Sequence, residues 1–160
     1  AACGATTSSG LQPGGPTSTP TTSPGGTPVA SQPPTPAVAL SSDGTSYSPS
    51  STITVTLTNH RSTSIYTFDH QTGCTILTLQ RQTAKGWEAT GGCAMGRLTQ
   101  QIEIKAGETR KIPLAPGTGQ IRATPWPTGT YQVVFTYALQ REGLTTGSTT
   151  TVVTPMFTIS

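Results

Sequence analysis

Between Ser51 and Asn59 the chain reads STITVTLTN, and its alternation is unbroken. Ile53, Val55 and Leu57 fall on one side of an extended backbone, and Thr52, Thr54, Thr56 and Thr58 fall on the other. Successive side chains of a strand point to opposite faces, so this stretch reads as a half-buried β-strand. TYQVVFTYAL (130–139) repeats the signal, with Tyr131, Val133, Phe135, Tyr137 and Leu139 on one face. SIYTFDH, CTILTLQRQ, GWEAT, QIEIKA, RKIPLA and QIRAT lie between the two. AVALSS is an edge strand at the entrance, and MFTIS is the last strand, with Phe157 and Ile159 inward after an extended Val152–Val153 segment. SSDG, AKG, KAGE, APGTG and WPTG punctuate these runs at turn spacing. No stretch carries a helical period. Residues 37–160 are therefore expected to form an all-β domain of roughly seven to nine antiparallel strands, a two-sheet sandwich with a closed barrel as the alternative.

The leader is of a different kind. Residues 1–36 hold eight Pro, six Gly and no charged side chain, with Thr and Ser at most other positions. Pro and Gly break any helix there, and the only bulky apolar residue before Val29 is Leu11, so the tract has no core of its own. It reads as a linker of polyproline II character, as an O-glycosylated stalk, or as an assembly arm ordered by neighbouring chains. Asn59, the sole asparagine, stands in NHR and makes no glycosylation sequon.

At the start, AAC followed by Gly resembles the end of a bacterial lipobox. The resemblance implies that Cys3 becomes the acylated residue of an exported, membrane-anchored lipoprotein, with Ala1 and Ala2 belonging to the precursor. Two or three acyl chains would hold it stably, at roughly 0.8 kcal/mol per buried CH₂. The leucine that opens a lipobox is not in the sequence; if both alanines are retained, Cys3 is instead free to pair with another chain.

Inside the domain, WPTGTYQVVFTY brings Tyr131 to the start of a long strand through a Pro-Thr-Gly turn. A tyrosine in this place locks a corner of immunoglobulin-like sandwiches by bonding backwards across the turn; an ordinary inward aromatic is the other reading. With ITVTLTNHRSTSIYTF and KAGETRKIPLA, this segment resembles the bacterial intracellular proteinase inhibitor-like domain over roughly residues 49–140. The resemblance implies an immunoglobulin-like fold; inhibition itself needs an exposed loop that the sequence does not identify. Pro125 and Pro127 hold Trp126 on a stiff loop, where the indole either packs under the sandwich or presents a contact.

Cys74 and Cys93 bracket a strand, a turn and a returning strand, and are expected to form a disulfide worth roughly 3 kcal/mol. A reversal near Thr83–Ala84 sets them opposite one another; a turn at Lys85–Gly86 offsets them. His60, His70, Asp69 and a thiol match no metal-ligand spacing, so no metal or cofactor is expected.

The remaining inventory excludes more than it selects. Nine basic residues are spread thinly, without the cluster needed to neutralise phosphates, so nucleic acid is not an expected partner. Six acids include no pair specified across a cleft, and adjacent Asp69 and His70 project to opposite faces of a strand, so no catalytic residues are assigned. Only 9% of residues are charged, against a usual share of roughly 25%, which leaves hydroxyls, glycans or a partner to cover the surface. The expectation is a non-catalytic, extracytoplasmic, surface-tethered sandwich with a structural or adhesive role. Its alternatives are a subunit of a large assembly or filament, and a carbohydrate-binding module using Trp126, Trp87 and Tyr47. Expected partners are proteins or further copies of the chain, a membrane through the anchor, and glycans.

Overall fold

The chain divides into two units, Ala1–Pro33 and Pro34–Ser160. The computed structural model describes residues 34–69, 76–90, 100–118 and 123–160. Cys3, Cys74, Cys93, His70 and the expected stalk up to residue 33 lie outside the described residues.

The described unit is all-β. Its strands are β1 (Val38–Ser42), β2 (Ser46–Tyr47), β3 (Ile53–Asn59), β4 (Ile65–Asp69), β5 (Leu77–Thr83) and β6 (Gly86–Ala89). Then follow β7 (Gln100–Ile104), β8 (Thr109–Leu114), β9 (Gly129–Ala138), β10 (Thr149–Val153) and β11 (Phe157–Ile159). One sheet has the order β1-β3-β8 and the other β2-β11-β9-β4-β7, with β10 and the β5–β6 hairpin also joined through β9. The two sheets make an all-β, sandwich-like fold.

The alternation in β3 sets the core. Ile53, Val55 and Leu57 are completely buried, and they meet Leu77, Leu79, Val133, Phe135 and Phe157 from the facing sheet in one cluster. Each such side chain contributes roughly 1.5–3 kcal/mol on burial. Paired residues share a face, so the outer face of the first sheet carries Thr54, Thr56 and Thr58 beside Ser41, Thr109 and Lys111.

A single ribbon passes from one sheet to the other. β3 and β8 pair from Ile53↔Leu114 to Thr58↔Thr109, and the same two chain segments pair again as β4 and β7, from Ile65↔Ile104 to Asp69↔Gln100. Asn59 stands at the fold in the ribbon and is fully buried. Its Nδ2 donates to the carbonyls of Thr63 (3.0 Å), Ile104 (3.2 Å) and Lys105 (3.0 Å), while its Oδ1 accepts from the Arg61 amide at 3.1 Å. Its backbone closes the same corner, receiving the Gly107 amide and donating to the Glu108 carbonyl. Gly107, at φ +71°, makes the left-handed turn. The Glu108 carboxylate accepts from the Lys105 amide at 2.7 Å and from Arg110 Nε at 2.6 Å, which together hold it below the usual carboxylate range.

Several sequence expectations change. The long strand ends at Ala138, and Leu139 is 49% exposed instead of inward, because the chain leaves the sheet into a turn. Residues 143–146 form one helical turn, where no helix was expected. β2 pairs with β11 in parallel, so the second sheet is mixed. The β5–β6 reversal centres on Ala84–Lys85 with Thr83 opposite Gly86, between the two expected turns. The described end of QIRAT, Ala123–Thr124, is not a strand.

Candidate functional site

Two places in the domain are candidates, and the first gathers most of the sequence-selected side chains. The first is the end of the sandwich built by WPTG. Trp126, expected either to pack under the sandwich or to present a contact, is 1% exposed and packs. Its indole Nε1 donates to the Ser51 carbonyl at 2.9 Å and its amide to the Pro49 carbonyl at 2.8 Å, so the loop that enters β3 forms its seat. The stiff prolines aim the indole at that seat rather than at solvent. Tyr131 Oη donates to the Pro127 carbonyl at 2.5 Å, four residues upstream, and burial raises its pKa. Arg81, opposite Tyr131 in β5, donates from Nη2 to the Thr128 carbonyl at 2.7 Å. Gly129 is needed here: its φ is +151°, and a Cβ would come within 2.8 Å of Arg81 Nε.

Aromatic rings continue from this corner. Trp126 meets Tyr131 edge-on at 5.9 Å, Tyr131 stacks on Phe157 at 6.0 Å, and Phe157 meets Tyr47 edge-on at 5.5 Å. Tyr47 is thus packed inward, and its hydroxyl donates to Asp43 Oδ1 at 2.7 Å. Burial and the Asp43 hydrogen bond push its pKa up to about 12. The Tyr47 bond chiefly, with a further one from the Thr54 amide, lowers the Asp43 pKa.

Trp87 lies far from these rings. It pairs with Gln82, whose side chain alternates with inward Leu79 and Arg81 and so faces outward. Tyr47 and Trp87 stand at opposite edges of the second sheet, with β11, β9 and β5 between them, a span of roughly 19 Å at ordinary strand spacing. With Trp126 buried, the three expected contact residues form no shared platform.

The second place was not legible in sequence. β4 and β5 lie in turn along one edge of β9, with Tyr66 opposite Ala138 and Leu77 opposite Phe135. Where β4 peels away, Thr67 Oγ1 donates to the Thr136 carbonyl at 2.8 Å in place of a ladder bond. The wedge opens a groove of about 270 Å³ lined by Thr67, Phe68, Ile76, Thr78, Thr136, Leu144 and Thr149. Four hydroxyls, one ring and two aliphatic side chains line it, and none is charged. On the same outer face Arg141 covers the Tyr66 ring at 5.2 Å and pairs with Glu103 at 3.5 Å. Such a lining offers hydrogen bonds and apolar contact; it contains no base to activate a hydroxyl.

Among the described residues, no three His, Cys, Asp or Glu side chains stand close enough to share a metal ion. No described helix is long and apolar enough to cross a membrane. No protein-family model matches the chain, and no curated protein matches it either.

Proposed function

We propose that this chain is a non-catalytic, exported β-sandwich protein, tethered to a cell surface through its leader and serving a structural or adhesive role. The observation that supports this reading is how the domain distributes its side chains. Its large apolar groups lie mainly in one core between two sheets, while Thr54, Thr56, Thr58, Thr136 and Thr151 supply hydroxyls to outer faces on which charges such as Lys111, Glu103 and Arg141 are sparse. Such a surface suits broad, uncharged contact held at a distance by a chargeless stalk. In this reading Cys3 carries the lipid and Cys74 and Cys93 form a stabilising disulfide, as secreted domains of this size commonly require.

The experiment is fractionation of the exported protein beside Cys3→Ser. The wild type should partition with detergent and the variant should be released to the aqueous phase. Equal aqueous partition of both refutes the tether.

A second reading, membership in a larger extracytoplasmic assembly, is favoured by one strand edge. β10 is five β-branched residues long, carries no charge or proline, and among the described residues pairs with β9, with β1 passing close beside it. The carbohydrate-module reading loses its basis in the aromatic trio.

A further inference from the structure

We propose that the groove beside Thr67 is a binding site for one neutral sugar ring, a pyranose without a charged substituent. The space is about 270 Å³, and its lining comes from both sides of β9. Phe68 belongs to β4, Thr78 to β5, and Ile76 immediately precedes β5; Thr149 belongs to β10 on the other side, and Thr136 lies on β9 between them. Leu144 reaches the same groove from the single helical turn. Two of the hydroxyls are unspent: among the described residues, neither the Thr78 nor the Thr149 side chain makes a hydrogen bond. Thr67 Oγ1 gives its proton to the Thr136 carbonyl at 2.8 Å, and Thr136 Oγ1 shares one hydrogen with Thr151 Oγ1 at 3.2 Å. Both oxygens keep a lone pair for a further donor.

The lining selects the class of ligand by what it would leave unpaired. A charged ligand would lose water without meeting an opposite charge, because the lining holds none and the nearby Arg141 and Glu103 pair with each other at 3.5 Å. A wholly apolar ligand would cover the Thr78 and Thr149 hydroxyls and leave them without partners. A pyranose satisfies both demands. Its rim of hydroxyls can donate and accept at threonines on the two sides of the groove, and its C–H bonds can pack on Ile76, Leu144 and the electron-rich face of the Phe68 ring.

Size limits the ligand to one ring. The groove falls just below the roughly 300–1,000 Å³ of pockets that take drug-sized molecules, so it holds a single pyranose and not a run of them. A ligand of about a dozen non-hydrogen atoms, at ordinary ligand efficiency, binds in roughly the millimolar range. This site shares no residue with Trp126, Trp87 and Tyr47, and it supplies the adhesive role with a ligand. Only the step from one weak site to firm adhesion rests on the proposed tether, since many copies held on one surface bind a glycan-coated partner together.

The test is an amide chemical-shift titration of the full, unacylated 160-residue chain with the methyl glycosides of glucose, galactose and N-acetylglucosamine, each to roughly 100 mM. At least one should shift the Thr78, Thr136 and Thr149 amides together and saturably. The methyl glycoside of glucuronic acid, the same ring bearing a carboxylate, should bind at least fivefold more weakly. Thr78→Val and Thr149→Val keep the shape and the strand preference while removing one hydroxyl, and each should weaken binding about fivefold. Thr56→Val, on the outer face of the other sheet, should leave binding unchanged. No saturable shift with any of the three sugars, shifts centred away from the groove, equal binding of the glucuronide, or unchanged affinity in either groove variant overturns the proposal. Because the chain carries no lipid, failure here leaves the tether standing, and loss of the tether leaves this result unaffected.

Discussion

Replacing Asn59 should unfasten the corner at which the two sheets are joined. Its amide nitrogen, with two hydrogens, serves three carbonyls, and its oxygen holds the Arg61 amide. Asn59→Ala removes about three net hydrogen bonds at roughly 1 kcal/mol each, so a loss near 3 kcal/mol is expected. That is a large part of the 5–15 kcal/mol typical of small domains. Asn59→Asp keeps the shape but points a carboxylate at the Thr63, Ile104 and Lys105 carbonyl oxygens. The buried site then favours the protonated acid, which regains one donor, so the folded pKa of the new side chain rises above its unfolded value of about 3.9. The native state therefore binds the extra proton, and the variant's stability falls as pH rises through that interval. Urea unfolding of wild type and both variants at pH 4 and pH 7 measures this as differences from wild type. The expected pattern is a pH-independent cost for Asn59→Ala and a cost for Asn59→Asp that grows between pH 4 and pH 7. A cost below about 1 kcal/mol for Asn59→Ala, or a pH-independent cost for Asn59→Asp, would refute the assignment of the corner to this side chain.

Trp126→Phe should lower stability by roughly 2 kcal/mol through the lost Ser51 bond and the space left behind, and in Trp87→Phe the remaining Trp126 emission should resist acrylamide quenching. Tyr131→Phe deletes only the hydroxyl that reaches Pro127 and should cost about 1 kcal/mol in the same unfolding assay. Asp43 and Glu108 have lowered pKa values, so the stability they contribute is present above their unfolded values and is lost as pH falls through the lowered ones; Asp43→Asn should therefore flatten part of the acid limb of the stability–pH curve below about pH 4. Gly129→Ala should destabilise the domain by roughly 1–2 kcal/mol, since it meets both an unfavourable φ and the Arg81 side chain, and thermal unfolding reads the loss.

The strands were legible where one face is buried and the other wet. Ile53, Val55 and Leu57 write that division directly, and MFTIS does so with two residues. Asn59 also carried a signal: it continues the inward phase of residues 53, 55 and 57, where a polar side chain must find partners inside. Those partners could not be named, because two lie 45 and 46 positions away on another strand. The choice between the two readings of Trp126, packing under the sandwich or presenting a contact, was out of reach for the same reason, since its proline neighbours are local and its acceptor, Ser51, is 75 positions distant. Leu139 fits a period of two, yet the strand stops before it at a turn that alternation does not record. The groove beside Thr67 arises from two strands sharing one edge of β9, a property of pairing order that no single segment contains.

The tether is tested most directly by the intact mass of the exported protein taken from its own membrane. The proposed function predicts an acylated Cys3 at the new N-terminus and a mass lowered by the two hydrogens that a Cys74–Cys93 bond removes. An unmodified Cys3 on protein released to the medium, with all three thiols free, would contradict it.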